Sequence, residues 1–232
     1  MQRRTNGKFI LTAALRVELM NKRIEAFYGP SSPWAYFGAP QLYDIADRHG
    51  CELVLRPIRV IQENGGIMLR TRPQARQNYH AVELDRWRQR LNMPLNLTPK
   101  FYPCRSIVPA ACTMIAAQHA GLDARRLSFA IQRALWAEDR DVADSDTLRT
   151  IVREQDIDDP DSLIGEIESP DILAMWEENL AEAVRIGIFG TPTYVHEGEL
   201  FWGQDRLEFL EQAIVNRRTA TPTPTPNPGD VN

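Results

Sequence analysis

A long stretch with helical periodicity, residues 61–186, separates two short segments with strand patterns. Apolar residues in this stretch follow the spacing of amphipathic helices, and no strand pattern interrupts it. The spacing predicts five helices, over residues 73–91, 109–120, 123–138, 145–155 and 170–186. Any sheet that the chain forms must therefore be built from the segments on either side.

The two flanking segments each predict a small unit of strands and one helix. The first unit is strand 24–28, helix 33–49 and strand 51–57, with Gly50 placed where a helix commonly stops. The second is a hairpin of strands 193–196 and 199–202 around Glu197-Gly198, followed by helix 204–217. A βαβ unit and a ββα unit share one sheet if the helical stretch is an insertion. The predicted fold class is α/β, a thioredoxin-like fold with a large all-helical domain inserted between its two halves.

Domain boundaries follow from the same pattern. Residues 23–60 and 187–217 are predicted to form the thioredoxin-like domain, and residues 61–186 the inserted helical domain. Residues 1–22 are interpreted as an N-terminal extension that is too polar to span a membrane and lacks a secretory cleavage pattern. Met20 is an alternative start to Met1. Residues 218–232 repeat Thr-Pro, which predicts a disordered tail.

Composition limits the partners of the chain. Its 232 residues carry a formal net charge of -4, without the clustered basic face that binds nucleic acid. Three cysteines form no Cys-x-x-Cys pair, and their odd number favours a reducing compartment such as the cytoplasm. The four histidines show no metal-ligand spacing. We therefore expect a cytoplasmic protein with no metal site, no membrane contact and no nucleic-acid partner.

Ser32 and Pro33 open the first predicted helix directly after a strand. Ser before Pro is a common way to begin any helix, so the pair alone is weak evidence of function. Thioredoxin-like redox proteins, however, place a Cys-x-x-Cys pair here, because the unpaired N–H groups and aligned dipoles of a helix start stabilise a thiolate. With Ser32 first and Ala35 fourth, no disulfide can form. The hydroxyl can still donate to a sulfur anion supplied by another molecule, and glutathione is the implied guest.

Two further motifs stand at element boundaries near the C-terminus. A cis Pro192 before the third strand would expose the N–H and C=O of Thr191 to an extended peptide such as glutathione, although a simple loop proline is an equal explanation. Residues 202–207 join the last strand to the last helix. Backbone N–H groups there can hold a carboxylate and Asp205 an ammonium group, or Asp205 merely complements the helix dipole.

Four segments together resemble the 2-hydroxychromene-2-carboxylate isomerase family, which belongs to the DsbA-like group with the kappa-class glutathione transferases. They are residues 27–36, 134–138 with 141–144, 189–193 and 201–207. The resemblance spans about residues 23–214 and leaves both tails outside. It implies glutathione as cofactor and, as is usual in the family, a homodimer.

The resemblance also implies roles for individual residues. Ser32 would hydrogen-bond the glutathione sulfur and keep it as a thiolate, and Thr191, before the cis Pro192, would bind the cysteinyl backbone. The γ-glutamyl group would be surrounded by Gln204, Asp205 and Arg206. The family usually has a smaller polar residue at Gln204 and often Val at Thr191. It also has an aspartate in the strand before the serine, where this chain has Tyr28-Gly29.

The reaction implied by the resemblance is cis–trans isomerisation of an unsaturated, ring-opened aromatic keto acid, through reversible addition of the thiolate. The substrate carboxylate needs a cation, and Arg105 is preferred because it lies in a stretch similar to the family loop that faces the active site. The other candidates are Arg56, Arg70, Arg72, Arg76 and Lys100. Trp34 and Tyr102 are expected to contact the aromatic ring.

Two alternatives remain open at the level of sequence. A kappa-type glutathione transferase or peroxidase would use the same thiolate on an electrophile or a peroxide. A DsbA-like module without redox activity would instead grip peptides through Pro192 and would have no affinity for glutathione. A dithiol oxidoreductase is disfavoured because no second cysteine stands near Ser32.

Overall fold

The structure, a computed structural model, describes residues 23–216. Within this range one sheet has four strands: β1 (Arg23–Tyr28), β2 (Glu52–Pro57), β3 (Thr193–His196) and β4 (Glu199–Trp202). The strands lie in the order β2-β1-β3-β4. β1 is parallel to β2 and antiparallel to β3, and β3 is antiparallel to β4. The strands that flank the helical stretch therefore share one sheet, as predicted.

Eight α-helices lie in the described part of the chain. They are α1 (Pro33–His49), α2 (Gln74–Leu91), α3 (Val108–His119), α4 (Ala124–Ala137), α5 (Ser145–Glu154), α6 (Pro160–Gly165), α7 (Pro170–Arg185) and α8 (Leu207–Asn216). Short 3-10 turns occupy Gln62–Asn64, Leu69–Thr71, Glu166–Glu168 and Gln204–Arg206. Helices α2 to α7 all stand between β2 and β3 in the chain, which is the predicted insertion.

The two ends of α1 explain why its bounds were predicted correctly from the sequence. Ser32 caps its N-terminus with a side-chain hydrogen bond and Pro33 takes the first helical position. Gly50 follows the last turn with φ 61°, and its N–H donates to the carbonyls of Ala46 and Asp47. Both ends of the helix that carries the candidate site are thus fixed by local chemistry.

Two differences from the predicted elements concern short helices. The helix predicted over residues 204–217 begins as a 3-10 turn, Gln204–Arg206, and becomes α-helical only at Leu207. The six-residue α6 was not predicted, although Asp159 caps it and Pro160 opens it. A helix this short shows too little periodicity to be recognised from apolar spacing.

One buried core runs from the sheet into the helical stretch. The Ser128 hydroxyl of α4 donates to the Tyr28 hydroxyl of β1 at 2.9 Å, and the Tyr28 hydroxyl donates to Met114 Sδ of α3 at 2.9 Å. Tyr28 stands where the resemblance expects an aspartate. Its buried hydroxyl ties the sheet to two helices of the insertion.

The structure bears on only some of the predictions about the chain termini, membrane spans, metal sites and domain boundaries. The N-terminal extension with its two candidate starts, the tail 218–232 and Arg217 lie outside the described residues. Within residues 23–216, no helix is both long and apolar enough to cross a membrane. In the same part of the chain, no three His, Cys, Asp or Glu side chains are grouped as a metal site requires. The division of the domains at residues 61 and 186 stays a prediction.

Candidate active site

Ser32 lies just outside α1, with an extended backbone at φ -81° and ψ 119°. Its Oγ accepts a hydrogen bond from Ala35 N–H at 3.3 Å. The same Oγ donates to the carbonyl oxygen of Thr191, also at 3.3 Å. The hydroxyl thus joins the start of α1 to a segment 159 positions further along the chain.

A second Ser-Pro pair shows what a purely structural cap looks like in this protein. Ser169 precedes Pro170 at the start of α7, and its Oγ accepts from Ile172 N–H at 3.4 Å. Among the described residues, the Ser169 hydroxyl has no further hydrogen-bond partner. Ser32 differs because its hydroxyl also faces the loop before β3.

The loop before β3 has the predicted cis peptide bond between Thr191 and Pro192. Pro192 is buried, and its carbonyl accepts a hydrogen bond from Gly203 N–H at 2.9 Å. No group of residues 23–216 accepts a hydrogen bond from Thr191 N–H. A Cβ added to Gly29 would lie 3.2 Å from Thr191 Oγ1 and 3.5 Å from the Ser32 Cβ, so these three segments are in close contact.

The turn Gln204–Arg206 packs against α1 next to this loop. A Cβ added to Gly38 of α1 would lie 2.9 Å from the Gln204 Cβ, and Gln204 is only 5% exposed. Asp205 and Arg206 point outward and form an ion pair with each other at 3.4 Å. No side chain caps the turn, so its first N–H groups remain available to an anion.

The thiols of Cys104 and Cys112 are poor thiolate sources. The pKa of each is raised to about 11, by burial in both cases and, for Cys104, second by the charge of Asp141. Both thiols are therefore protonated at neutral pH.

The predicted substrate contacts are distributed over the helical stretch and α1. Trp34 is half-buried, and its ring meets the ring of His80 edge-on at 5.3 Å. Tyr102 packs on Trp136 with ring centroids 4.8 Å apart. Arg105 is 63% exposed along its side chain, and Asp141 Oδ2 lies 2.6 Å from its Nη1.

The structure also draws attention to His80, which was not assigned to the site from the sequence, and to Arg72, one of the other candidates for the substrate carboxylate. His80 of α2 covers the first turn of α1 through Trp34. Arg72, just before α2, influences the titration of both His80 and Tyr102. A signal for His80 exists in the sequence, because it shares a helical stripe with Leu84, Trp87 and Leu91, all buried or half-buried. Nothing comparable distinguishes Arg72 from the other arginines.

A four-stranded sheet of this order, with a capped helix start facing a cis-proline loop, defines a thioredoxin-like protein whose site has serine in place of a redox cysteine. The chain belongs to the DSBA-like thioredoxin domain family, whose model matches residues 23–215. The match covers both strand units and the helical insertion.

Curated relatives and solved structures are similar to this chain over most of its length. A 2-hydroxychromene-2-carboxylate isomerase of Sphingobium xenophagum is 27% identical over 85% of this chain and 100% of its own length. An isomerase of the same name from Pseudomonas putida is 25% identical over 82% of this chain and 93% of its own length. A solved 2-hydroxychromene-2-carboxylate isomerase superposes with a TM-score of 0.67 at 21% identity, covering 84% of this chain and 95% of the other. The cytosolic disulfide reductase DsbM of Pseudomonas aeruginosa, solved with GSH, superposes with a TM-score of 0.58 at 20% identity. The superposition covers 83% of this chain and 99% of the other.

Proposed function

We propose that the protein is a glutathione-dependent cis–trans isomerase of the 2-hydroxychromene-2-carboxylate isomerase type. The position of the Ser32 hydroxyl supports this most directly. A hydroxyl hydrogen rotates freely, so Ser32 can turn its O–H from the Thr191 carbonyl to a sulfur anion while still accepting from Ala35 N–H. The bond to Thr191 is long at 3.3 Å, and exchanging it costs little.

The residues around Ser32 suit an extended peptide such as glutathione. Thr191 N–H has no acceptor within residues 23–216, and the Thr191 carbonyl becomes free when Ser32 turns away. Together they form the donor and acceptor that a cysteinyl backbone requires. The uncapped turn that starts at Gln204, with Asp205 beside it, offers N–H groups to a carboxylate and an acid to an ammonium group.

The electrostatics at Ser32 favour a thiolate over a thiol. The N-terminus of α1 carries the positive end of the helix dipole, and its first turn contains no acidic residue. The Ser32 hydroxyl can also donate a hydrogen bond to the sulfur, which favours the thiolate. When bound, glutathione would supply a thiolate that adds to a conjugated double bond and leaves again after rotation, so that the thiol is regenerated.

The proposed substrate is an unsaturated keto acid derived from an aromatic ring. The names of both curated relatives support this class. Trp34 and Tyr102 are the proposed ring contacts, since both are half-buried aromatic side chains that still have exposed surface. A cytoplasmic location and a homodimer belong to the same proposal.

Ser32→Ala tests the proposal against a matched control. Thiol-dependent isomerisation should fall by about 100-fold or more, which corresponds to the loss of a group that stabilises developing charge. The variant should lose only about 0.5–2 kcal/mol of stability, because it loses a helix cap. Ser169→Ala removes the same kind of cap from α7 and should lose similar stability with no change in turnover.

The assay should follow isomer interconversion and total glutathione together. An isomerase leaves the glutathione concentration unchanged, whereas a transferase consumes it in proportion to product. Turnover in Ser32→Ala equal to that of the unaltered protein, or of Ser169→Ala, would remove Ser32 from the mechanism.

A further inference from the structure

Helix α2 is joined to the start of α1 by one ring contact. Trp34, two residues after Ser32, projects from the first turn of α1 and meets the His80 ring edge-on at 5.3 Å. His80 lies on the stripe of α2 that faces the core. The contact links α2 to a residue of α1 that is two positions from Ser32.

Arg72 is held in place at the end of this segment. Its Nε and Nη2 donate to the carbonyl oxygen of Ile67 at 3.2 and 3.0 Å. Its own carbonyl accepts from Gln77 Nε2 of α2 at 2.8 Å. These bonds fix the guanidinium and leave Nη1 with no partner among the described residues.

The charge of Arg72 is not neutralised by the protein. Within residues 23–216 no carboxylate oxygen lies within 4.0 Å of its guanidinium. Burial lowers the pKa of His80, and the charge of Arg72 lowers it further. Burial raises the pKa of Tyr102, and the charge of Arg72 opposes that rise. One half-buried cation therefore acts on side chains from α2 and from the 101–104 loop.

Arg105 presents the opposite case. Its Nη1 lies 2.6 Å from Asp141 Oδ2, its Nη2 donates to the Ala143 carbonyl at 2.9 Å, and Asp144 stands 3.9 Å away. An incoming carboxylate would have to displace Asp141. The field of a cation paired in this way is largely cancelled at a distance.

We propose that Arg72 binds the carboxylate of the substrate, with the side chains of Trp34, His80 and Tyr102 as the nearby aromatic contacts. This inference rests on the proposed function for the identity of the reaction. Such a site favours a flat, conjugated aromatic acid, because rings can contact its flat face and a single unpaired guanidinium can pair with one carboxylate. Uncharged analogues of the same shape should bind less well.

A matched pair of small ligands measures this preference without any turnover. Cinnamate and cinnamamide share the ring and the conjugated double bond and differ in charge. Isothermal titration calorimetry on the full chain should give tighter binding of cinnamate. Arg72→Gln should reduce cinnamate affinity about tenfold or more and leave cinnamamide affinity unchanged, as expected for loss of a hydrogen bond to a charged group.

Two further variants separate charge from structure. Arg72→Lys keeps the positive charge and should retain most of the preference for cinnamate. Arg90→Gln removes one positive charge from the far end of α2, where the guanidinium lies over the Trp87 ring, and should change nothing. Circular dichroism of each variant shows whether it is folded.

The assignment would be overturned if the unaltered protein bound cinnamate and cinnamamide equally. It would also be overturned if a folded Arg72→Gln variant kept the preference for cinnamate, or if Arg105→Gln lost that preference instead. None of these depends on glutathione. Failure of the carboxylate site is therefore distinguishable from failure of the thiolate mechanism, which the isomerisation assay of Ser32→Ala reports.

Discussion

Both hydrogen bonds of the Ser32 hydroxyl are 3.3 Å long, well beyond the usual length for a hydroxyl group. The cap itself could be predicted from the sequence, because Ser before Pro after a strand is a local signal. The contact with Thr191 could be expected only from chain order and resemblance. The preference for Arg72 over Arg105 could not be predicted, since it depends on whether Asp141 lies within reach.

His80 offers a test at the level of one titrating group. Burial, and second the charge of Arg72, lower its pKa from 6.5 to about 4. The ring is therefore neutral at pH 7. Arg72→Gln removes the second cause, so the His80 pKa should rise while remaining below 6.5. An NMR titration of the ring measures this directly.

The same shift predicts a pH dependence of stability. The folded state disfavours protonated His80, so the unfolded chain binds more protons in the window between the two pKa values. The contribution to stability is present above pH 6.5 and is lost progressively as the pH falls toward about 4. Urea denaturation should show a steeper decline over this window than in His80→Gln. A His80 pKa at or above 6.5 contradicts the described surroundings of the ring.

At the scale of elements, long helices and strands follow from the sequence within about two residues, because apolar periodicity and end signals agree there. The 3-10 turn Gln204–Arg206 could not be predicted from these signals. It arises from the backbone of Gly203, whose φ of 107° suits glycine alone, and from close packing on α1. Such a turn is specified by tertiary contact, which local propensity does not contain.

Gly38 tests this packing. A Cβ there would lie 2.5 Å from the Tyr194 hydroxyl and 2.9 Å from the Gln204 Cβ. Gly38→Ala gains about 0.5–1 kcal/mol of helix propensity, but overpacking costs about 1–3 kcal/mol, so the variant should be destabilised overall. Glutathione affinity should also fall, because the Gln204 turn is displaced.

The control is Gly165→Ala in α6. This glycine has a helical backbone, φ -63° and ψ -29°, and a Cβ there would meet nothing within 4 Å. Its replacement should stabilise the protein by about 0.4–1 kcal/mol. Urea denaturation compares the two variants. Equal effects of both substitutions would show that Gly38 is not a contact point for the turn.

At the scale of the whole molecule, the candidate site draws on three parts of the chain. The βαβ unit supplies Ser32, the ββα unit supplies Thr191 and the Gln204 turn, and the insertion supplies His80, Arg72 and Tyr102. The first two parts were predictable because element order fixes which boundaries meet at one edge of the sheet. In the third part, Tyr102 was predicted and Arg72 was one of several candidates, but His80 was not predicted. The packing of an inserted helical block on a sheet has no comparable rule of order.

The central claim is that this folded chain turns a thiol into a thiolate beside Ser32. Free glutathione is mostly protonated at pH 7, since a thiol has a pKa of about 8.5. Its titration into the protein, followed by ultraviolet thiolate absorbance, should give a saturable signal at neutral pH that Ser169→Ala retains and Ser32→Ala loses. Absence of the signal, or an equal signal from Ser32→Ala, would contradict the claim.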